Sequence, residues 1–373
     1  MQNENLLYLI ALPLLDGVGL TKSRLLISYV GLDAIERIFL YKEKDLARIP
    51  DFGLITAKQI ISSREMALDR ARRELDFIRK QDLTVTSFFD EDYPFLLKEC
   101  DDAPLVLYSE GNIDYNRAKM VSIVGTRNIT EYGKEQTTRL VEEIAERHPD
   151  ACIVSGMAYG VDITAHRAAV KCGLSTIGVL AHGLDMLYPA VHRSTAVEMF
   201  AKGGLVTEFS SKTNPDRQNF VRRNRIVAGI SRATIVIESG SKGGSLITAE
   251  LAGSYNREVF AVPGRLTDKF SEGCNKLIRT NKASMIASVD DLDYILGWNV
   301  ETKKAKNEQP TIMFPMTAEE EDLYSYFKDN KTMNINQLSI ITQKSVSQLS
   351  SMLINMEFNG YIKCLPGNMY QRL

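Results

Sequence analysis

The sequence predicts an α/β protein: a doubly wound, Rossmann-like parallel sheet flanked by an N-terminal helical domain and a C-terminal winged helix. Three observations carry this. Between residues 115 and 298, short apolar runs of four or five residues alternate with amphipathic stretches, the pattern of buried parallel strands joined by helices. Glycine-bearing loops follow the strand ends, where open α/β sheets bind ligands. After a polar linker, three helical patterns and two short strand patterns close the chain.

Residues 1–80 read as helices with short turns. Two similar units lie within them, Leu14–Leu26 (LLDGVGLTKSRLL) and Ile49–Ile61 (IPDFGLITAKQII). Each joins a tight glycine turn to a helix start, so both resemble helix-hairpin-helix units, which bind DNA backbone through hairpin amides. Gly17-Val18-Gly19 fits that pattern, and Lys22 and Arg24 follow it. Asp51 replaces the first glycine of the second unit, and a carboxylate there would repel phosphate, so that unit is expected to be structural.

Residues 81–298 form the predicted Rossmann-like domain. Leu83–Phe89 reads as a strand, and the Asp92-Tyr93-Pro94 and Asp102–Tyr108 segments as turns leading inward. Strands are expected at Met120–Val124, Cys152–Ser155, Thr176–Leu180, Leu205–Glu208, Thr234–Glu238 and Val259–Val262, with helices such as Gly133–Arg147, Asp162–Cys172 and Ser194–Lys202 between them. Residues 299–314 read as a charged linker. Residues 315–373 read as the winged helix, with helices Ala318–Lys328, Ile335–Thr342 and Val346–Asn359 and a Pro366-Gly367 turn between its strands. The third helix has no Lys or Arg between Ser345 and Tyr361, and from Pro315 onward five basic residues face six acidic ones. Phosphate contacts need cations, so this domain is expected to dock protein rather than grip DNA.

Composition narrows the function. With 44% hydrophobic and 25% charged residues among 373, the chain can bury a large core. No apolar run reaches the ~18–20 residues of a membrane span, and the N-terminus lacks the basic flank of a signal peptide, so a cytoplasmic protein without membrane partners is expected. The five cysteines (Cys100, Cys152, Cys172, Cys274, Cys364) form no CxxC pair, which indicates neither a disulfide framework nor a metal site. Net charge is −2, yet residues 214–282 carry twelve Lys/Arg against six Asp/Glu. That local +6 is the footprint of a polyanion binder.

The charge centres on Phe220–Ile230 (FVRRNRIVAGI), with Arg222, Arg223 and Arg225 around Asn224. Arginine's fork of donors matches phosphate and keeps its charge. Five loops leave strand ends nearby: Gly125–Asn128, Ser155–Gly160, Ala181–Gly183, Ser239–Thr248 and Pro263-Gly264. Their amides can approach an anion, and Arg127 stands where it would add charge. GxGxxG is absent, and Lys242 precedes its glycine pair rather than following it as in a P-loop. No nucleotide cofactor is therefore expected. Asp162 and His166 stand at i and i+4; a structural pair that fixes the helix to the preceding loop is favoured over acid–base chemistry. His182 is expected to be a loop hydrogen-bonder.

The ordered segments Ser122–Arg127, Val154–Asp162 with His166, Thr176–Leu180, Phe220–Gly229, Gly244–Ala249 and Val259–Gly264 resemble the DNA-processing protein A family (DprA, also called Smf). The resemblance spans about Asp92 to Ala287. It implies a non-enzymatic mediator that binds single-stranded DNA, loads RecA recombinase during natural transformation and dimerises through the Rossmann domain. The DNA site it implies comprises Gly125, Thr126 and Arg127; Ser155, Gly156, Met157 and Ala158; Arg222, Arg223, Asn224 and Arg225; and Lys242, Gly243, Gly244 and Ser245. A rival reading is a hydrolase of nucleoside monophosphates. There the Gly243-Gly244 loop, Thr248 and Glu250 would serve an oxocarbenium-like centre. A transcription regulator acting through the winged helix is a third, disfavoured by its uncharged helix.

Overall fold

The computed structural model describes residues 3–298, 316–327, 332–365 and 369–372. The chain divides into two compact units, Met1–Asn299 and Val300–Leu373. The linker and the Pro366-Gly367 turn lie outside the described residues.

The first unit opens with helices Asn3–Ala11, Leu20–Val30, Arg37–Leu40 and Glu43–Leu46 and the 28-residue helix Leu54–Gln81. Leu9, Leu12, Leu26, Ile38, Phe52 and Ile60 form their shared core, which extends to Leu105, Val106 and Tyr108. In the first hairpin, Gly17 takes a positive φ of 72°, a conformation glycine adopts without cost. Asp51 in the second takes φ 64°; aspartate is among the few other residues that tolerate it.

A nine-stranded sheet follows: β1 Thr84–Ser87, β2 Val106–Gly111, β3 Met120–Val124, β4 Cys152–Gly156, β5 Ser175–Val179, β6 Gly204–Thr207, β7 Ala233–Val236, β8 Glu258–Ala261 and β9 Ser284–Met285. Their spatial order is β1-β2-β6-β5-β4-β3-β7-β8-β9. From β6 to β9 every pair is parallel, while β2 runs antiparallel to β1 and β6. One expectation is corrected here, and one strand is new. Val106–Tyr108 is part of a strand, not a turn; Tyr108 stands opposite both Val85 and Thr207. The short edge strand β9 had no expected counterpart. β3, β4 and β5 are buried at every position, which is why they read as unbroken apolar runs rather than alternating ones.

From β3 the chain winds outward through β4, β5 and β6, then returns past β3 to β7 and β8. The strand order therefore reverses between β3 and β7. Separate apolar clusters cover the two faces, one around Ile177, Val206 and Ile226 and the other around Ile123, Val141 and Phe260.

The second unit has helices Ala318–Ser325, Ile335–Thr342 and Val346–Phe358 and an antiparallel sheet of β10 Thr332–Asn334, β11 Ile362–Leu365 and β12 Met369–Arg372, in the order β10-β12-β11. Leu323, Phe327, Leu338, Leu349, Leu353 and Met356 form its core. Each of the three helices starts with a capping box, from Thr317, Asn334 and Ser345, which satisfies amides that would otherwise be orphaned.

Candidate nucleic-acid interface

A cavity of about 1090 Å³ opens at the carboxyl ends of the strands, beside the β3/β7 reversal. This is where doubly wound sheets bind ligands. Three strand ends and their loops supply nearly half of its wall: Gly125–Asn128 after β3, Gly156 and Ala158 at the end of β4, and Ser239–Ser245 after β7. The helix Arg217–Ile230 contributes Arg217, Phe220, Arg223 and Asn224.

Glycine at 156 has a steric cause. A Cβ there would lie within 2.5 Å of both the Arg223 guanidinium and the Asp162 carboxylate. Gly160 takes φ 79°, and a Cβ would collide with the Thr126 and Arg127 backbone. The first two loops thus lock together, and the Val161 amide donates to the Thr126 carbonyl at 3.2 Å. At the third, Gly243 caps helix Gly244–Ser254 without a side-chain hydrogen bond. An uncapped helix start attracts anions through its amides and dipole. Asn224 Nδ2 donates to the Gly244 carbonyl at 3.3 Å, and Ser245 Oγ to Ser239 Oγ at 2.9 Å, holding the loop in place.

Five cations line the cavity: Arg127, Arg217, Arg223, Lys242 and Lys269. None forms an ion pair among the described residues. Arg127 stacks over Phe220 at 4.9 Å from the ring centroid, and Arg223 stands 6.0 Å from it. Arg223 is buried, and one of its Nη atoms donates to the Val179 carbonyl. Burial lowers its pKa, with Asp162 opposing the shift. The Asp162 carboxyl is pushed up by burial and pulled back by Arg223. Asp162, Glu250 and Glu272 are the carboxylates in the wall, so basic residues prevail five to three.

Of the sequence-predicted site, Gly125, Thr126, Arg127, Gly156, Ala158, Arg223, Asn224, Lys242, Gly243, Gly244 and Ser245 meet around this cavity. Ser155, Met157, Arg222 and Arg225 do not line it. Ser155 and Met157 are buried, and Ser155 donates to the Ile123 carbonyl at 2.5 Å. Arg222 and Arg225 both donate to Glu208 Oε2, at 2.7 and 2.5 Å. The expected wall of three arginines is therefore corrected: the helix turns two of them to a carboxylate and one to the cavity. Likewise, the Ala181–Gly183 and Pro263-Gly264 loops leave strand ends without reaching the cavity.

His166 does not pair with Asp162. Its Nε2 lies 2.8 Å from the Gly156 carbonyl and its Nδ1 2.7 Å from Thr176 Oγ1, so it does tie its helix to the preceding loop. Burial pushes it down to about pKa 4. His182 is a loop hydrogen-bonder, its Nδ1 2.8 Å from the Gly183 carbonyl. Glu250 is exposed and pairs with Lys282 at 3.6 Å, and Thr248 donates to the Gly244 carbonyl at 3.1 Å.

Sequence reasoning missed Arg217, Phe220 and Lys269. The signal for the first two was helical spacing: residues 217, 220, 224 and 227 share one face, whereas 222 and 225 share another.

The fold and site define a doubly wound α/β protein with a cation-lined cavity at its switch point. The chain belongs to the family described as DNA recombination-mediator protein A, whose model matches residues 84–296. It is 30% identical over 407 aligned residues to Protein Smf of Synechocystis sp., covering all of both chains, and 37% identical over 239 residues to DNA processing protein DprA of Bacillus subtilis, covering 64% of this chain and 80% of that one. The solved DNA processing protein A of Streptococcus pneumoniae superposes with a TM-score of 0.55 at 30% identity, over 73% of this chain and 96% of that one. That of Helicobacter pylori, solved to explain how it binds single-stranded DNA, gives 0.52 at 30% identity over 58% and 96%.

Proposed function

We propose that this chain binds single-stranded DNA in the switch-point cavity and delivers the strand to a RecA-type recombinase during natural transformation. The observation that carries the reading is the set of five cavity cations, none in an ion pair among the described residues, with Phe220 and an uncapped helix start in the same wall. Cations and loop amides suit phosphates, and an aromatic ring beside guanidinium groups suits an unstacked base. The cavity offers no helix shaped to enter a groove, so bases are not read in a duplex. Membership of a family described as recombination mediators supports the recombinase partner and a mediator rather than an enzyme, and the family resemblance implies a homodimer through the Rossmann domain. The third helix of the second unit exposes Val346, Ile354 and Phe358 and no cation, chemistry suited to a protein contact.

A gel shift with single- and double-stranded oligonucleotides at two salt concentrations tests the reading. Single strands should bind tighter, with affinity falling steeply as salt rises, because Lys/Arg contacts release counterions. Equal affinity for duplex, or indifference to salt, would overturn it. Release of adenine from AMP would instead make the cavity a hydrolase site.

A further inference from the structure

Phe220 continues into a second aromatic surface. Tyr188, in the loop after β5, meets it with ring centroids 6.1 Å apart and planes at 59°. Tyr188 keeps 43% of its surface exposed, yet its backbone is braced. Its amide donates to His182 Nε2 at 3.1 Å, and His182 Nδ1 lies 2.8 Å from the Gly183 carbonyl. Burial lowers the His182 pKa, so the ring is neutral near pH 7. One nitrogen then donates to the carbonyl while the other accepts from the Tyr188 amide.

A second exposed phenol stands on the loop after β4, against a histidine four residues on from Tyr188. Tyr159 is 49% exposed and meets His192 edge-on, with centroids 5.0 Å apart. His192 is buried, with Nδ1 2.8 Å from the Met157 carbonyl. Both rings therefore leave strand carboxyl ends, the edge that carries the cavity, and both are wet but held. Neither phenol oxygen has a hydrogen-bond partner among the described residues, and neither ring fills a core. Such a surface suits a ligand with flat apolar faces.

We propose that Tyr188, continued by Tyr159 beyond His192, is a base-stacking subsite for nucleotides adjoining the one whose phosphate occupies the cavity. The proposal rests on the single-strand reading of that cavity. Every nucleobase has a π-face, so the subsite takes any sequence, and paired bases in a duplex cannot reach it. It would thereby add to the preference for single strands without adding charge.

The test uses the full chain with three strands of equal length: ordinary, abasic, and ordinary with one 2-aminopurine. Tyr188→Leu keeps apolar cover over Phe220 but removes the π-face, and Tyr188→Phe keeps both. Tyr188→Leu should bind the ordinary strand roughly tenfold more weakly, about 1.4 kcal/mol. It should bind the abasic strand as the wild type does and should lose 2-aminopurine quenching. Tyr188→Phe should match the wild type in all three, and Tyr159→Leu should show a smaller loss of the same kind. Wild-type affinity and quenching in Tyr188→Leu would overturn the subsite while leaving the cavity reading intact. So would an equal loss on the abasic strand, which would mean that the ring acts only by supporting Phe220. A wild-type protein that binds no strand would overturn the cavity reading and the subsite with it.

Discussion

The first glycine hairpin and the switch-point cavity are built from the same parts, yet the structure uses them differently. Each has a glycine turn, a helix start and nearby cations. In the hairpin the cations are committed within the fold. Lys22 donates to Thr56 Oγ1 at 3.2 Å and lies 5.4 Å from the Phe52 ring centroid. Arg24 donates to the Asp101 and Ala103 carbonyls at 2.8 and 2.6 Å and stacks on Phe88. In the cavity, Arg127, Arg217, Lys242 and Lys269 form no ion pair among the described residues. A count of basic residues is thus a poor guide to an anion site. What matters is how many charges the fold leaves unneutralised and pointing at one space.

The same contrast divides the helix Arg217–Ile230, and breaking it there should have the largest effect. Glu208 is buried and accepts from both Arg222 and Arg225; Arg225 is itself buried, while Arg222 is half exposed. Glu208→Ala leaves Arg225 uncompensated where water cannot reach it. Removing one partner of a buried pair typically costs roughly 3–5 kcal/mol. The urea midpoint should drop accordingly. A shift below about 1 kcal/mol would mean that Arg225 finds water or another acceptor, and that the two faces of the helix differ less than their contacts indicate.

Next in size is the contrast between Arg127 and Arg223. Arg127 is exposed and stacks on Phe220, and its side chain forms no hydrogen bond or ion pair among the described residues, so Arg127→Ala should leave stability nearly unchanged. Its single-strand affinity should fall by one to two decades, since a charged hydrogen bond is worth roughly 1.5–3 kcal/mol. Arg223 is buried against Gly156 and bonded to Val179. Arg223→Ala should therefore lower the melting temperature as well as affinity. Titration and thermal melting of the two variants side by side separate a free charge from a structural one. Equal stabilities would return Arg223 to the role of a simple phosphate ligand.

A smaller effect is expected from the second unit. Trp298 packs edge-on against His148, with centroids 5.1 Å apart, so a chain ending at Trp298 keeps the first unit's core whole. All the cavity cations lie within it. That chain should bind single strands within about tenfold of the full protein, or ~1.4 kcal/mol. A greater loss would give the second unit a direct grip on DNA despite its uncharged third helix.

These contrasts also mark how far the sequence was legible. The buried parallel strands β3 to β8 are visible because both their faces are covered, which leaves apolar runs. β2 is hidden because Asp102-Ala103-Pro104 signals a turn just before it; its strand state comes from partners on either side, β1 and the sequence-distant β6. The glycine loops after β3, β4 and β7 were readable as a site, but their equals after β5 and β8 looked the same. Only strand order shows which ends adjoin the reversal. That Arg222 and Arg225 pair with Glu208 rather than line the cavity is not visible in the sequence, because Glu208 approaches them only through the fold. Phe220 was overlooked because an aromatic beside arginines reads as core until the helix phase is applied.

The smallest expected effect is at the hairpin itself. Lys22 is half-buried and its ammonium already has a hydroxyl and a ring beside it. To bind a phosphate it would have to give up both and move. If committed cations do not bind, Lys22→Ala should change single-strand affinity by less than about 0.5 kcal/mol, the range of an ordinary surface substitution. The slope of log affinity against log salt should also stay the same, whereas a lost phosphate contact would lower it by about one. Arg127→Ala measured beside it supplies the positive control. A reduced slope in Lys22→Ala would show that the hairpin releases its lysine to DNA, and that contacts within the free protein do not exclude a cation from the interface.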